Sequence, residues 1–185
     1  MAETARNTMT VDEFFLWQQD QEDRFELIEG FPVKMMTGAS TNHDRVVTNI
    51  IVALHNQLRG TPCRPATADV ALRTKIRSIR RPDVTVTCDP PALDVYEARD
   101  AKMVVEVLSP SNTGVTWQRK IEEYRRCDGL IYILFVDSRV TEATLLTRSA
   151  GGWEASDAEG PSAVIDLPQI GCRLAMSDVY EGVTL

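Results

Sequence analysis

The chain has 185 residues, 43% of them hydrophobic and 25% charged, with a formal net charge of −7. At roughly 150 residues per domain this is one domain of ordinary globular composition, able to bury a core without staples. The acidic total excludes a protein that coats nucleic acid by overall charge, since such domains have a pI above about 9.

The N-terminal stretch has no apolar segment of the kind a secretory signal needs. The longest apolar run, Leu130 to Val136, is far short of the ~20 residues of a membrane helix. No membrane partner and a cytoplasmic location are therefore expected. Cys63, Cys88, Cys127 and Cys172 form no C-x-x-C and read as four unpaired thiols in a reducing compartment. With only His43 and His55, a poly-histidine metal centre is not expected. Phosphate-loop, dinucleotide and serine-hydrolase motifs are missing.

In chain order, Thr10 and Glu13 make a capping box, with Met9 and Phe14 as its hydrophobic staple, so a helix is predicted from Thr10 to Gln19. Arg24–Glu29 and Phe31–Thr37 read as strands of a hairpin turning at Glu29-Gly30. Thr41 can cap a second helix, with Val46, Val47, Ile50, Ile51, Leu54 and Leu58 at helical spacing, stopped by Gly60-Thr61-Pro62. Between Asp69 and Ile76 the pattern alternates, with Val70, Leu72 and Ile76 on one face and Arg73, Lys75 and Arg77 on the other. Two apolar strands, Asp83–Thr87 and Met103–Leu108, flank a loop from Cys88 to Lys102. Ser109-Pro110-Ser111-Asn112 breaks the chain before a third helix, Thr116–Arg126. Ile131–Val136 is a buried strand, followed by a hairpin around Gly151-Gly152 and a short helix near Met176–Tyr180. The order implies a mixed α/β (α+β) layer fold around one central sheet.

Three residues sit where a plain core would not put them. Glu106 lies among five apolar residues, the pattern of a strand buried on both faces, where a carboxylate needs a partner, a proton or a metal. Asp83 opens the neighbouring strand. Lys120 lies within the apolar stripe Trp117, Ile121 and Tyr124, while Arg119, Glu122, Glu123 and Arg126 supply the solvent face. Two carboxylates and a lysine are the minimum set for metal-dependent phosphodiester hydrolysis with Mg2+ or Mn2+. The blander alternative is a structural Glu–Lys ion pair, with His43 as a surface histidine and Glu26 and Glu29 solvated at the hairpin.

Phe25-Glu26-Leu27-Ile28-Glu29-Gly30, Arg81-Pro82-Asp83-Val84, Val104-Val105-Glu106-Val107-Leu108-Ser109-Pro110-Ser111, and Lys120 with Tyr124 together resemble the Uma-type restriction endonuclease family of the PD-(D/E)XK nuclease superfamily. The match runs in order from about Thr10 to Tyr180. The resemblance implies a single restriction-endonuclease-like domain over 1–185, a central mixed sheet flanked by helices. Its parts are a helix and hairpin at 10–37, the nuclease core at 41–137, and a C-terminal hairpin and short helix at 138–185. It implies Asp83 and Glu106 as metal ligands and Asp83, Glu106 and Lys120 as catalytic residues. The superfamily's usual lysine position, two after the glutamate, is Leu108 here. Glu29 and His43 follow as accessory candidates, and Ser40 with His43 fits the family's pattern at the second helix. Phe31 stands where the family commonly has an acid, and Thr116 where an Asp often precedes the helical lysine.

The expected substrate is DNA, and a homodimer is the assembly that would cut both strands. Residues 59–81 hold seven basic side chains and one acid, so a basic middle is hidden between acidic ends. Arg73, Lys75, Arg77, Arg80 and Arg81 are the candidate nucleic-acid contacts. The competing readings are a noncatalytic module of the same fold that binds nucleic acid or protein, and a metal-dependent hydrolase of a small phosphoester.

Overall fold

The protein is described by a computed structural model over residues 8–35, 38–90, 95–109 and 114–185. Helix α1 (Val11–Gln19) starts at Thr10, where both bonds of the capping box form, and Met9 and Phe14 pack in one cluster as the staple predicts. Strands β1 (Phe25–Ile28) and β2 (Phe31–Lys34) pair antiparallel around Glu29 and Gly30, whose φ angles of 51° and 87° are those of a tight hairpin turn. The predicted end of this hairpin at Thr37 lies outside the described residues. Helix α2 (Thr41–Gln57) is capped by Ser40, not Thr41: the Ser40 hydroxyl accepts the His43 N–H at 3.2 Å.

Strands β3 (Arg64–Thr67), β4 (Ala71–Lys75), β5 (Ser78–Arg80), β6 (Val84–Thr87), β7 (Glu97–Ala98) and β8 (Ala101–Leu108) follow, then helix α3 (Gly114–Arg125) and β9 (Tyr132–Asp137). The chain closes with β10 (Glu142–Ser149), β11 (Gly152–Glu159), β12 (Val164–Leu167), a 3-10 turn, β13 (Cys172–Ala175) and α4 (Met176–Val179). A six-stranded mixed sheet runs β11-β10-β9-β8-β6-β3, and β8 and β9 are its parallel pair, joined through α3. The expected central mixed sheet is present. A second, five-stranded sheet, β2-β1-β5-β4-β7, was not separated from it by sequence.

Alternation along β8 sorts the layers. Met103, Val105 and Val107 join Val46, Ile50 and Leu54 of α2 in one cluster. Val104 faces the other way, with Tyr124 of α3, Ile133 and Phe135. Glu106 shares the parity of Val104, so it looks toward α3.

Two expectations fail here. Ile76 is 88% exposed, because β4 ends at Lys75 and the chain turns back into β5, so the predicted alternating face stops short. Cys63 and Cys88 are joined in a disulfide, leaving Cys127 and Cys172 as the buried free thiols. The pairing of Arg64 with Thr87 in β3 and β6 sets the two cysteines opposite each other. Sequence spacing alone cannot show that partnership, because β3 itself carries no strand pattern.

Candidate active site

The site is built first by strand register. Val84 of β6 faces Val105 of β8, so Asp83 and Glu106 come opposite each other one step further along. Asp83 sits just ahead of β6, where its Oδ2 accepts the N–H of Val107 at 2.8 Å. Glu106 is 4% exposed.

Helix α3 supplies its partners. Lys120 Nζ lies 2.7 Å from Glu106 Oε1, and one turn later the Tyr124 hydroxyl donates to the same oxygen at 2.5 Å. The spacing i, i+4 puts both groups on one helix face, held down by the edge-on contact of Trp117 and Phe135 at 4.4 Å. Burial pushes the Glu106 carboxyl above its usual range, with the Lys120 ammonium pulling against it. Burial also acts to lower Lys120, but the charges of Glu106 and Glu26 outweigh it, so Lys120 is held protonated. Tyr124 is raised well above its usual value, by burial and then by Glu106, and stays a neutral donor.

Glu26 is a site residue that sequence reading placed in solvent. Its Oε1 lies 3.7 Å from Lys120 Nζ and accepts the N–H of Arg81, while its Oε2 accepts Arg80 Nη1 at 2.8 Å. Arg80, 1% exposed, turns its Nε and Nη2 to Glu123 at 2.8 and 3.0 Å. Glu123, expected on the solvent face of α3, is equally buried and also accepts the Thr74 hydroxyl.

The nucleic-acid contacts expected at Arg80 and Arg81 are corrected by burial. Arg80 is neutralised by two carboxylates, and Arg81 donates to the carbonyls of Phe25, Ala68 and Asp69. Arg80 ties the five-stranded sheet to α3, and Arg81 ties it to the turn between β3 and β4. Arg73 and Arg77 remain exposed and Lys75 half-buried. Arg73 pairs with Glu97 at 3.0 Å, and Arg77 donates to the Thr8 hydroxyl.

Of the accessory candidates, His43 is largely buried, with Nε2 3.5 Å from Asp83 Oδ2. The Asp83 carboxylate, as acceptor for the ring, raises its pKa, with burial opposing. Glu29 does not join the cluster; it faces Lys75 and Arg119 at the surface. The helix position of Thr116 falls in the first turn of α3, and Phe31 is an exposed residue of β2.

The donor set decides what ion fits. Among the described residues no group of three or more His, Cys, Asp and Glu side chains gathers as a cage. Two opposed carboxylates suit a hard cation such as Mg2+, which takes one or two carboxylates and keeps several waters. Asp83 and Glu106 fit that requirement. Among the described residues no helix is long and apolar enough to cross a membrane.

Comparison with known proteins agrees with the fold. The family model Uma2, described as a putative restriction endonuclease, matches residues 11–177. An uncharacterized protein of Synechocystis sp. PCC 6803, slr1290, is 27% identical over 191 residues, covering 95% of this chain and 93% of that protein. The crystal structure of a putative nuclease of the DUF820 group from Anabaena variabilis superposes with a TM-score of 0.74 at 16% identity. That match covers 95% of this chain and 99% of the other, and the likeness is one of fold.

Proposed function

Because the chain belongs to the Uma2 family, we propose that it is a Mg2+- or Mn2+-dependent endonuclease acting on DNA, with Asp83, Glu106 and Lys120 as its catalytic residues. The observation that carries this reading is the meeting of the three at one end of the sheet. Asp83 is pinned by a main-chain N–H, and Lys120 lies 2.7 Å from Glu106.

Asp83 and Glu106 would hold the ion, which when bound supplies an acidified water and neutralises charge developing on the phosphoryl group. The chain's own groups do the positioning. The Val107 N–H and the His43 ring orient Asp83, and the Tyr124 hydroxyl fixes one oxygen of Glu106. Lys120, half-buried between Glu106 and Glu26, acts as a fixed cation for the phosphoryl oxygens. Its place on α3 makes up for the apolar Leu108 in β8. Exposed Arg73 and Arg77 and half-buried Lys75 are the cations that would meet the DNA backbone, so binding weakens as salt rises.

The test is nicking of supercoiled plasmid in Mn2+ or Mg2+ by wild type, Asp83→Ala and Glu106→Ala. Metal-dependent nicking that drops at least ~100-fold in both variants is expected, since each removes half of the ion's protein ligands. Nicking that persists in the variants, or DNA retained on a gel without any cleavage, would overturn the reading; the latter would favour the noncatalytic module.

A further inference from the structure

One residue near the site is a more charged choice than its turn requires. Glu29 has φ 51° as the first residue of the two-residue β1–β2 turn, where Asn, Asp or Gly is the usual occupant. Its turn is fastened from several sides. The N–H of Glu29 bonds the Ser78 hydroxyl, the N–H of Gly30 bonds the Arg77 carbonyl, and the Gly30 carbonyl accepts from Met9. Gly30 itself admits no side chain, because a Cβ would lie 2.6 Å from that of Thr8. The turn therefore holds Glu29 in one place.

There, Glu29 Oε1 lies 2.6 Å from Arg119 Nη2 and 3.5 Å from Lys75 Nζ. The side chains of Glu29, Arg119 and Lys75 are 56%, 46% and 32% exposed. Ion pairs as open as these add little to stability. Arg119 directly precedes Lys120 on α3. Buried Glu123 approaches the same two cations from beneath, at 3.7 and 3.9 Å, and keeps them side by side.

A phosphodiester carries the single negative charge of a carboxylate, and an arginine fork receives either through two N–H donors. We infer that Arg119 and Lys75 form a subsite for a backbone phosphate of the substrate, which Glu29 fills as a stand-in until DNA displaces it. The subsite deepens the nuclease reading and rests on it. Glu29 then acts as a brake on binding: the substrate must compete with an attached carboxylate, which suppresses weak, nonspecific association. A role for Glu29 in the chemistry predicts the opposite sign when it is removed.

The experiment is fluorescence anisotropy of a labelled DNA duplex without divalent metal. It compares wild type, Glu29→Gln, Arg119→Ala and Glu29→Gln/Arg119→Ala over a salt series. Glu29→Gln should bind severalfold tighter. Arg119→Ala should bind more weakly, with its log–log salt slope shallower by about one. The double variant should lose the gain. Affinity in Glu29→Gln that is equal to or below wild type overturns the subsite, as does a gain that survives loss of Arg119, which would mark a long-range charge effect. If wild type nicks plasmid in Mn2+ while Glu29→Gln binds no tighter, the subsite alone fails. If neither protein binds DNA and wild type does not nick, the nuclease reading fails with it.

Discussion

Arg80 neutralises both Glu26 and Glu123 from a buried position. Burial pushes the Glu123 carboxyl up, but the Arg80 hydrogen bonds and charge more than reverse this, so its folded pKa lies below the ordinary carboxylate range. An acid lowered in this way gives stability above its unfolded pKa of ~4.3, and that stability is lost as pH falls through the folded value. Glu123→Gln should therefore cost about 3–5 kcal/mol at pH 7, the price of breaking a buried pair. In urea unfolding the gap between wild type and variant should narrow by pH 3; a gap that stays constant would contradict the ionic role. At this scale the sequence was informative where a charge interrupts an apolar pattern, as at Glu106 and Lys120. It misled at Glu26, Arg80, Arg81 and Glu123, because charged residues in short or mixed segments look solvated until their partners, some 40 to 55 residues away, are known.

The elements that could be read in advance are those whose signals are local. The capping box of α1, the Glu29-Gly30 turn and the apolar runs of β6, β8 and β9 each declare themselves within a few residues. Strands β3, β5 and β7 do not, since they are short and owe their form to neighbours. The missed β3 also hid the Cys63–Cys88 disulfide, which closes a 25-residue separation between β3 and β6. A cross-link of that span contributes about 3 kcal/mol by limiting the unfolded chain. Cys63→Ser, or reduction of the wild type, should lower the melting temperature by several degrees with no change in Asp83 or Glu106. A melting temperature insensitive to reductant would contradict a stabilising cross-link.

Across the whole molecule, the candidate site lies where two sheets and two helices meet. The six-stranded sheet provides Glu106 and, at the start of β6, Asp83; the five-stranded sheet provides Glu26 and Arg80; α2 provides His43, and α3 provides Lys120 and Tyr124. The hidden basic stretch of residues 59–81 therefore divides by depth. Its buried members, Arg80 and Arg81, brace the five-stranded sheet against α3 and the turn between β3 and β4, while Arg73, Lys75 and Arg77 stay at or near the surface. Charge counted along a chain cannot make that division, which depends on burial. The claim on which the rest depends is that Asp83 and Glu106 hold a divalent ion beside Lys120, and it can be tested without substrate. Thermal unfolding of wild type and Asp83→Asn should be followed with and without Mn2+ at about 100 times its Kd for the wild type. A ligand at that excess adds about 2.7 kcal/mol to the folded state. The account predicts that Mn2+ raises the wild-type melting temperature and leaves that of Asp83→Asn unchanged; an equal rise in both proteins would place the ion elsewhere and contradict it.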